Sequence, residues 1–374
     1  METKFGKFLT TAAFAKLFLL LLTAAAVYMG LRLGNAVEWL FGRQWYLPIF
    51  LLLLALLLLL AYAQRAGYGN RMLRCCKRIS AYFLCFLLYD VLLLLVDLAS
   101  LLLSLYRILR ARLILAAAGL TIALLFYGSI HAGRLETVVY SLSMGNRGER
   151  ARLVLLSDLH IGLFIGEVYL SRLTAAVNRL SPELVVISGD VFDGCLPSDD
   201  NLLHRIAAIL RQLEAPEGVY AVLGNHDPAI TDPRLRRFFE EANIKLLYNE
   251  AAALPRYTLI GRAGIVDMAD IRTPLQDLME TADREKPTII LDHDPQGIRE
   301  AAACGADLVL CGHTHKGQFF PMNLLTKWAN GPAYFYGQGL HGRTHSVISA
   351  GSGFFQLPIR IGTNSEIVLI EAAW

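Results

Sequence analysis

The chain has 374 residues, of which 55% are hydrophobic and 18% are charged, whereas soluble proteins carry about 25% charged residues. This composition excludes an ordinary soluble protein. Residues 1–150 carry 16 Lys and Arg against 6 Asp and Glu, and the rest carry 19 against 26. The sequence therefore predicts two modules. The acidic second module argues against nucleic acid as a partner, because phosphate backbones bind concentrated basic surfaces.

Four apolar stretches in the first module are long enough to cross a bilayer, which takes about 20 residues. They cover residues 12–33, 46–63, 80–105 and 113–130. We therefore predict a helical membrane anchor of about four transmembrane helices over residues 1–134. A connector over 135–150, with a strand at Leu135 to Ser141, leads to a second domain over 151–374.

Lysine and arginine residues predict how the anchor is oriented. About nine of them lie at the N-terminus, in the loop before the third stretch and just after the fourth stretch, against five at the opposite ends of the stretches, and cytoplasmic loops are enriched in these residues. We therefore expect a multi-pass protein of the cell membrane whose N-terminus and second domain are cytoplasmic.

Two acidic residues, Asp90 and Asp97, lie seven positions apart in the third apolar stretch. At 3.6 residues per turn they share one helix face, and we expect that face to point into the helix bundle, since a charge facing lipid is costly. Two interpretations stay open: a polar site for a lipid headgroup or an ion, or hydrogen bonds between helices.

In the second module, apolar runs of strand length alternate with helical patterns, which is typical of an α/β sandwich. The predicted strands are 153–157, 184–188, 219–223, 257–265, 288–291, 308–311, 346–350 and 366–370, and the predicted helices are 168–180, 201–213, 233–242, 274–281 and 296–303.

Five of these strands are followed at once by Asp, Asn or His. The five blocks are Ser157-Asp158-Leu159-His160, Gly189-Asp190, Gly224-Asn225-His226-Asp227, Asp292-His293-Asp294 and Gly312-His313-Thr314-His315. Because α/β sheets place ligands at the carboxyl ends of their strands, we expect these side chains to converge at one edge.

Imidazole and carboxylate ligands without a thiolate suit Zn, Fe or Mn, and argue against a structural zinc site. Residues two apart in an extended segment point the same way, so Asp158 with His160, and His313 with His315, can each supply two ligands. Gly189, Gly224 and Gly312 would leave room for metals. The pattern predicts a pair of divalent ions, which would bind a phosphoryl group and generate hydroxide at neutral pH.

The five blocks, in this order, resemble the signature of calcineurin-like metallophosphoesterases, and the resemblance covers essentially all of residues 151–374. It implies a four-layer αββα sandwich. The late residues Ala350 to Gly353, Pro358, Arg360 and Glu366 resemble a bacterial membrane-associated branch of phosphodiesterases, some of which act on lipids. Lys316 departs from that branch, which usually has glycine there.

The resemblance implies a role for each block residue. Asp158, His160, Asp190 and His315 would bind one metal, and Asp190, Asn225, His293 and His313 would bind the other, with Asp190 bridging. His226 would face the scissile group and stabilise the transition state or protonate the leaving oxygen, and Asp227 would orient it and favour its charged form.

The expected function is that of a membrane-anchored, two-metal phosphoric ester hydrolase. It would cleave a phosphodiester or pyrophosphate bond, and the nearby bilayer favours a lipid-linked substrate. The alternatives are a nucleotide phosphodiesterase or phosphomonoesterase, a sensor that binds phosphoryl groups without turnover, and a transporter with a regulatory domain.

Other basic residues fit none of the blocks. We expect His131 and His204 to be structural or surface residues. His341 is either structural or faces the substrate, and Lys316 and Arg343 either contact a phosphate or headgroup or are solvated cations.

Overall fold

A computed structural model describes residues 12–49, 51–52, 55, 78–79, 81–82, 85, 90–145, 150–264, 272–283 and 285–374. The chain divides into two compact units, Met1–Tyr127 and Gly128–Trp374. Each unit is described separately below.

The first unit is helical. The described residues of this unit include α1 (Ala12–Phe41), α2 (Asp90–Leu102) and most of α3 (Arg107–Ala132), of which residues 128–132 belong to the second unit. A short 3-10 helix covers Arg43–Trp45. Among the described residues, α3 is the one helix that meets the length and composition needed to cross a membrane. Helix α1 covers the first predicted stretch, whereas most of 46–63 and part of 80–105 lie outside the described residues, so the four-helix anchor stays a prediction.

Asp97, on α2, is held by residues of the other two helices, α1 and α3. Its carboxylate lies 2.6 Å from Arg32 Nε and 2.7 Å from Arg110 Nη2, and it accepts a hydrogen bond of 2.9 Å from the Tyr28 hydroxyl. Asp90, on the same helix, is buried. Of the two interpretations left open for this helix face, the structure shows polar contacts between helices at Asp97.

The second unit contains two six-stranded mixed sheets. The strands are β1 (Leu135–Ser143), β2 (Arg150–Leu156), β3 (Leu184–Ser188), β4 (Val219–Val222), β5 (Lys245–Leu246), β6 (Glu250–Ala253), β7 (Thr258–Gly261), β8 (Thr288–Leu291), β9 (Leu308–Cys311), β10 (Gly337–His341), β11 (Thr344–Ile348) and β12 (Ser365–Ala373). The first sheet has the order β1-β12-β2-β3-β4-β5 and the second β10-β11-β9-β8-β7-β6. Strands β2 to β5 run parallel, as do β7, β8, β9 and β11.

Helices flank the strands of both sheets. They are α4 (Glu167–Arg179), α5 (Asp200–Leu210), α6 (Pro233–Glu241), α7 (Leu275–Glu280), α8 (Ile298–Ala303) and α9 (Met322–Asn330), with 3-10 turns at Pro295–Gly297, His315–Gly317 and Pro332–Tyr334. Helices α5 and α6 each begin after an N-cap aspartate. Asp199 and Asp232 accept hydrogen bonds from the backbone N–H groups two residues ahead.

Three apolar cores define four layers. One core packs α4, α5 and α6 against the first sheet. A second lies between the sheets, where Leu155 and Val186 meet Leu291 and Leu310. A third packs α7 and α8 against the second sheet. Strands such as β3 and β8 are buried along their whole length, which explains their unbroken apolar sequences.

The strand predicted at Leu135 to Ser141 is present as β1, and it pairs with β12 along nine residues at the edge of the first sheet. The segment expected to be a connector therefore contributes a strand to the second domain. Strands β5, β6 and β10 and helix α9 were not predicted, because they are short and lack an alternating or helical apolar pattern that faces the core.

Candidate metal centre

Two parallel strands of the first sheet and two of the second deliver five of the predicted ligands. Asp158 and His160 follow β2, Asp190 follows β3, His293 follows β8 and His315 follows β9. The two sheets pack face to face, so their strand ends meet, and all five side chains are buried. The convergence expected from the sequence is confirmed for these five residues.

The five side chains form two overlapping groups of potential metal ligands. Asp158, His160 and His315 make one group, and Asp158, Asp190 and His293 make the other, with the ligand atoms of each group within 4.8 Å of one another. His160 Nε2 lies 3.1 Å from His315 Nε2, which in turn lies 3.3 Å from Asp158 Oδ1. Asp190 Oδ2 lies 3.1 Å from His293 Nε2 and 3.7 Å from His160 Nε2.

His293 shows that this set of residues fits a cation. Its Nδ1 contacts the Ser188 backbone oxygen at 2.8 Å, and because a carbonyl only accepts, Nδ1 carries the proton. Nε2 lies 3.1 Å from Asp190 Oδ2, and within the described part of the chain this buried atom has no hydrogen-bond partner. A ring held in this tautomer by its other nitrogen is the usual arrangement of a metal ligand.

The titratable groups of the centre shift one another's pKa values. Burial by itself would lower the pKa of His293, but the charge of Asp190 raises it to about 10. Burial and the neighbouring His160 hold the pKa of His315 well below its usual range. Despite its own burial, Asp190 has a lowered pKa, because cationic histidines surround it. A divalent ion at this position would replace the proton that the raised pKa of His293 favours.

The ligand loops depend on unusual backbone conformations. Five of the seven predicted ligands have positive φ angles: Asp158 (51°), His160 (46°), Asp190 (52°), His313 (74°) and His315 (50°). Such left-handed conformations cost about 1–3 kcal/mol each outside glycine and are concentrated at functional sites. A Cβ atom at Gly224 would collide with the Asp190 carboxylate, and one at Gly312 with that of Asp158. These glycines make room for the ligand side chains.

The other two predicted ligands lie at the margin of the centre. The His313 ring is 5.1 Å from that of His293, at a steep angle, and is half-buried. Asn225 is exposed, and its neighbour His226 donates a backbone hydrogen bond of 2.8 Å to Asp190. Metal ligation by these two residues stays a prediction.

His226 is half-buried beside the ligand cluster. Its ring lies 5.5 Å from that of His160 and 4.5 Å from that of Phe355. Burial lowers its pKa despite the nearby charge of Asp190, and the charged form expected from the sequence stays a prediction.

Asp227 is buried, and its two oxygens accept hydrogen bonds of 2.8 Å from the backbone of Phe192 and Gly224. Burial and the charge of Asp190 raise its pKa to about 7. The carboxyl group thus fixes the loop that carries His226, and its predicted effect on the His226 ring itself stays a prediction.

Comparison with known proteins decides the family. The sequence profile of the calcineurin-like phosphoesterases matches residues 151–317, a range that contains all seven predicted ligands. An uncharacterized metallophosphoesterase of Aquifex aeolicus is 31% identical over 193 residues, covering 50% of this chain and 71% of that protein. The chain belongs to the calcineurin-like metallophosphoesterase family.

Longer relatives match as well. An uncharacterized metallophosphoesterase of Helicobacter pylori is 29% identical over 243 residues, 63% of this chain and 62% of that protein. A Danio rerio protein described as a transmembrane protein with metallophosphoesterase domain is 33% identical over 274 residues, 67% of this chain and 60% of that protein. The aligned region thus spans about three fifths of the length of these two relatives.

Three residues of this metallophosphoesterase site were missed in the sequence. Asp193 Oδ1 lies 3.6 Å from His160 Nδ1. Phe355 lies against the rings of His226, His160 and His315. Arg360 is buried and donates to the backbone oxygen of His315. The three-residue spacing from Asp190 was a signal for Asp193, and Arg360 entered the sequence analysis only through the family resemblance, without a role.

The remaining basic residues have structural contacts. His131 contacts Asn364, and His204 contacts Glu241 at 2.6 Å. The His341 ring stacks on Tyr334. Lys316 Nζ lies 3.9 Å from the centre of the Tyr336 ring, and Arg343 donates to the Gly305 backbone oxygen.

Proposed function

We propose that this metallophosphoesterase is a membrane-anchored, two-metal enzyme that hydrolyses a phosphodiester or pyrophosphate bond of a lipid-linked substrate. One observation carries the two-metal part. Asp190 Oδ2 lies between His293 Nε2 at 3.1 Å and His160 Nε2 at 3.7 Å, and these two histidines come from different sheets. A carboxylate shared between two such nitrogens is suited to bridge two ions.

Asp158, His160 and His315 would hold one ion, and Asp190 and His293 the other, with Asp190 shared. Two bound divalent ions supply a hydroxide from water at neutral pH and charge stabilisation for phosphoryl oxygens. The chain keeps these ligands in place through its backbone. His313 N–H donates to both Asp158 oxygens at 3.1 Å, and His226 N–H donates to Asp190.

His226 is the group best placed to act on the leaving oxygen. It is half-buried beside the ligands yet belongs to neither ligand group of the metal centre. A histidine can give a proton to the departing alkoxide of an ester, which general acids accelerate by about 10² to 10⁴-fold. Phe355, packed on the same ring, would limit water at this position.

Anchoring of the enzyme in a membrane supports the choice of a lipid-linked substrate. Helix α3 is long and apolar enough to span a bilayer, and strand β1 of the phosphoesterase domain starts three residues after it ends. A substrate carried by a lipid need not leave the bilayer to reach an enzyme anchored in this way. We place the domain on the cytoplasmic side, on the distribution of Lys and Arg.

The test is hydrolysis of a chromogenic phosphodiester and the matching monoester by the detergent-purified full chain, with added manganese or with chelator. We expect diester cleavage that depends on manganese and disappears in Asp190→Asn. The control is Asp199→Asn, because Asp199 caps helix α5 at an exposed position. Metal binding by the wild type without turnover of either substrate would favour the phosphoryl-binding sensor.

Two parallel assays address the substrate. A phosphodiester lipid in vesicles and a soluble nucleotide are compared at the same enzyme concentration. Faster cleavage of the lipid supports the proposal, whereas preference for the soluble nucleotide assigns the enzyme to nucleotide hydrolysis.

A further inference from the structure

Helix α9 presents an apolar face outward, close to the metal centre. Leu324, Leu325 and Trp328 are all exposed, Trp328 to 81% of its surface, and within the described part of the chain none of the residues of this helix is buried. Positions 324, 325 and 328 share one helix face, because residues three and four apart are neighbours. Phe320, just before the helix, extends this patch.

The side of α9 that faces the domain is polar. The partly buried positions are Asn323, Thr326 and Asn330, spaced by three and four residues. A surface helix of a soluble protein shows the opposite arrangement, with its apolar face toward the core. Helix α9 is therefore amphipathic with its apolar side facing away from the domain. An exposed apolar patch of this kind marks a contact with a partner or a membrane.

Contacts of residues 359–361 fix where this face lies within the second unit. Phe320 N–H donates to the Ile361 backbone oxygen at 2.9 Å. Ile361 and Ile359 also pack against Gly128, and Arg360 N–H donates to the Gly128 backbone oxygen at 3.0 Å. Gly128 belongs to the last turn of α3, so one short segment, residues 359–361, joins the start of the apolar patch to the end of the membrane-spanning candidate.

The same patch is joined to the metal centre. His315 begins the 3-10 turn His315–Gly317, and a Cβ atom at Gly317 would collide with the backbone of Asn323 in α9. The turn that carries a predicted metal ligand thus lies directly on the inner face of the helix.

We infer that α9 is an interfacial helix that inserts Leu324, Leu325 and Trp328 into the surface of the bilayer that α3 enters. The composition fits this occupant, because tryptophan is enriched at the headgroup level and a lysine, Lys327, stands exposed beside it. The inference deepens the proposed function, on which its substrate part rests. It places the entrance to the metal centre at the headgroups, where a lipid phosphodiester lies.

Fluorescence of Trp328 tests the docking without any need for catalysis. The full chain is reconstituted into vesicles of phosphatidylcholine and phosphatidylglycerol with plain or brominated acyl chains. The emission of Trp328 is obtained as the difference between wild type and Trp328→Phe. We expect a roughly twofold loss of this emission with brominated chains, since interfacial helices bury their apolar face at the acyl boundary, and protection from aqueous acrylamide.

Trp374, which is 3% exposed, provides the control, since its difference signal should respond to neither quencher. Quenching of Trp328 by acrylamide but not by bromine overturns the inference. Protection from both quenchers also overturns it, because protein, either a second copy or another segment of this chain, would then cover the helix.

Activity separates this inference from the proposed function. The double variant Leu325→Glu and Trp328→Glu should cleave the soluble chromogenic diester like wild type and lose about tenfold in cleavage of a vesicle-borne phosphodiester. The matched control is Val139→Glu, an exposed valine on the edge strand β1. An enzyme without any hydrolysis would contradict the proposed function, yet the quenching result would still decide the docking.

Discussion

The guanidinium of Arg360 donates a hydrogen bond to the backbone oxygen of His315, a predicted metal ligand. The same group donates to the backbone oxygens of Ala350 at 2.7 Å and Gly353 at 2.6 Å. Arg360 is fully buried, and burial lowers its pKa to about 10, so it remains charged at neutral pH. One buried cation thus joins the turn after β9 to the loop after β11.

We expect Arg360→Met to loosen that connection while nearly preserving side-chain length. It would remove the hydrogen bond to the buried Ala350 oxygen, at about 1–3 kcal/mol, while the oxygens of His315 and Gly353 keep Gln318 N–H and the Ser365 hydroxyl as donors. The Tm should therefore fall by a few degrees, and manganese affinity should fall with it. Thermal unfolding with and without manganese measures both effects. Arg343→Met is the control, because exposed Arg343 makes one backbone contact; an equal Tm in both variants would contradict the argument.

Gly224→Ala should damage the centre without touching a ligand. The added methyl group would overlap the Asp190 carboxylate, which must then move from between the two histidines. A displacement of about 1 Å costs roughly 100-fold in rate, and bound manganese should drop below the wild-type ratio. Gly166→Ala is the matched change, since a Cβ atom there meets nothing within 4 Å. Unchanged metal content in Gly224→Ala would show that Asp190 is not a ligand.

Asp193→Asn should weaken metal binding through His160. A carboxylate near the second nitrogen of a ligating histidine orients the ring and raises its basicity, and its loss typically costs about 10–100-fold in metal affinity. The Asp193–His160 distance of 3.6 Å exceeds a direct hydrogen bond, so we expect the lower end of this range. Manganese titration of the chelator-treated protein measures the affinity, and Asp199→Asn is the control. If Asp193→Asn and the control bind manganese equally well, Asp193 does not support His160 in this way.

The strand ends could be predicted because each combines an unbroken apolar run with a polar ligand. Strands β3, β8 and β9 occupy the predicted ranges residue for residue, since a fully buried strand next to Gly, Asp or His has a strong local signal. His293 was predicted as a ligand in the same way. The backbone oxygen of Ser188 that fixes its tautomer comes from another sheet, and a partner 105 residues away leaves no local signal.

Helix α9 shows the opposite case. Its apolar residues point away from the domain, so a search for core-facing periodicity does not detect it. Phe355 was missed for a related reason, because its contacts with His226 and His160 depend on how the loop after β11 folds over the centre. Periodicity in a sequence indicates which side of a regular element is buried. It therefore detects neither a helix whose apolar side faces outward nor a contact made by a loop residue.

His226→Gln distinguishes an acid catalyst from a structural histidine. The variant keeps a polar side chain, and His226 belongs to neither of the two ligand groups, so manganese content and Tm should match wild type. The loss in kcat should depend on the leaving group. An alkyl ester, whose alkoxide needs a proton, should lose about 10² to 10⁴-fold, whereas a nitrophenyl ester, whose phenolate leaves unprotonated, should lose far less.

The comparison of the two esters is informative because a positioning defect would slow both equally. A similar loss with alkyl and nitrophenyl substrates would therefore assign His226 to binding or to transition-state charge stabilisation. A loss of manganese in the variant would assign it to the metal centre instead. Unequal losses with intact metal content would establish proton donation to the leaving oxygen, and Phe355→Leu, which changes the ring packed 4.5 Å from His226, should then reduce the same difference.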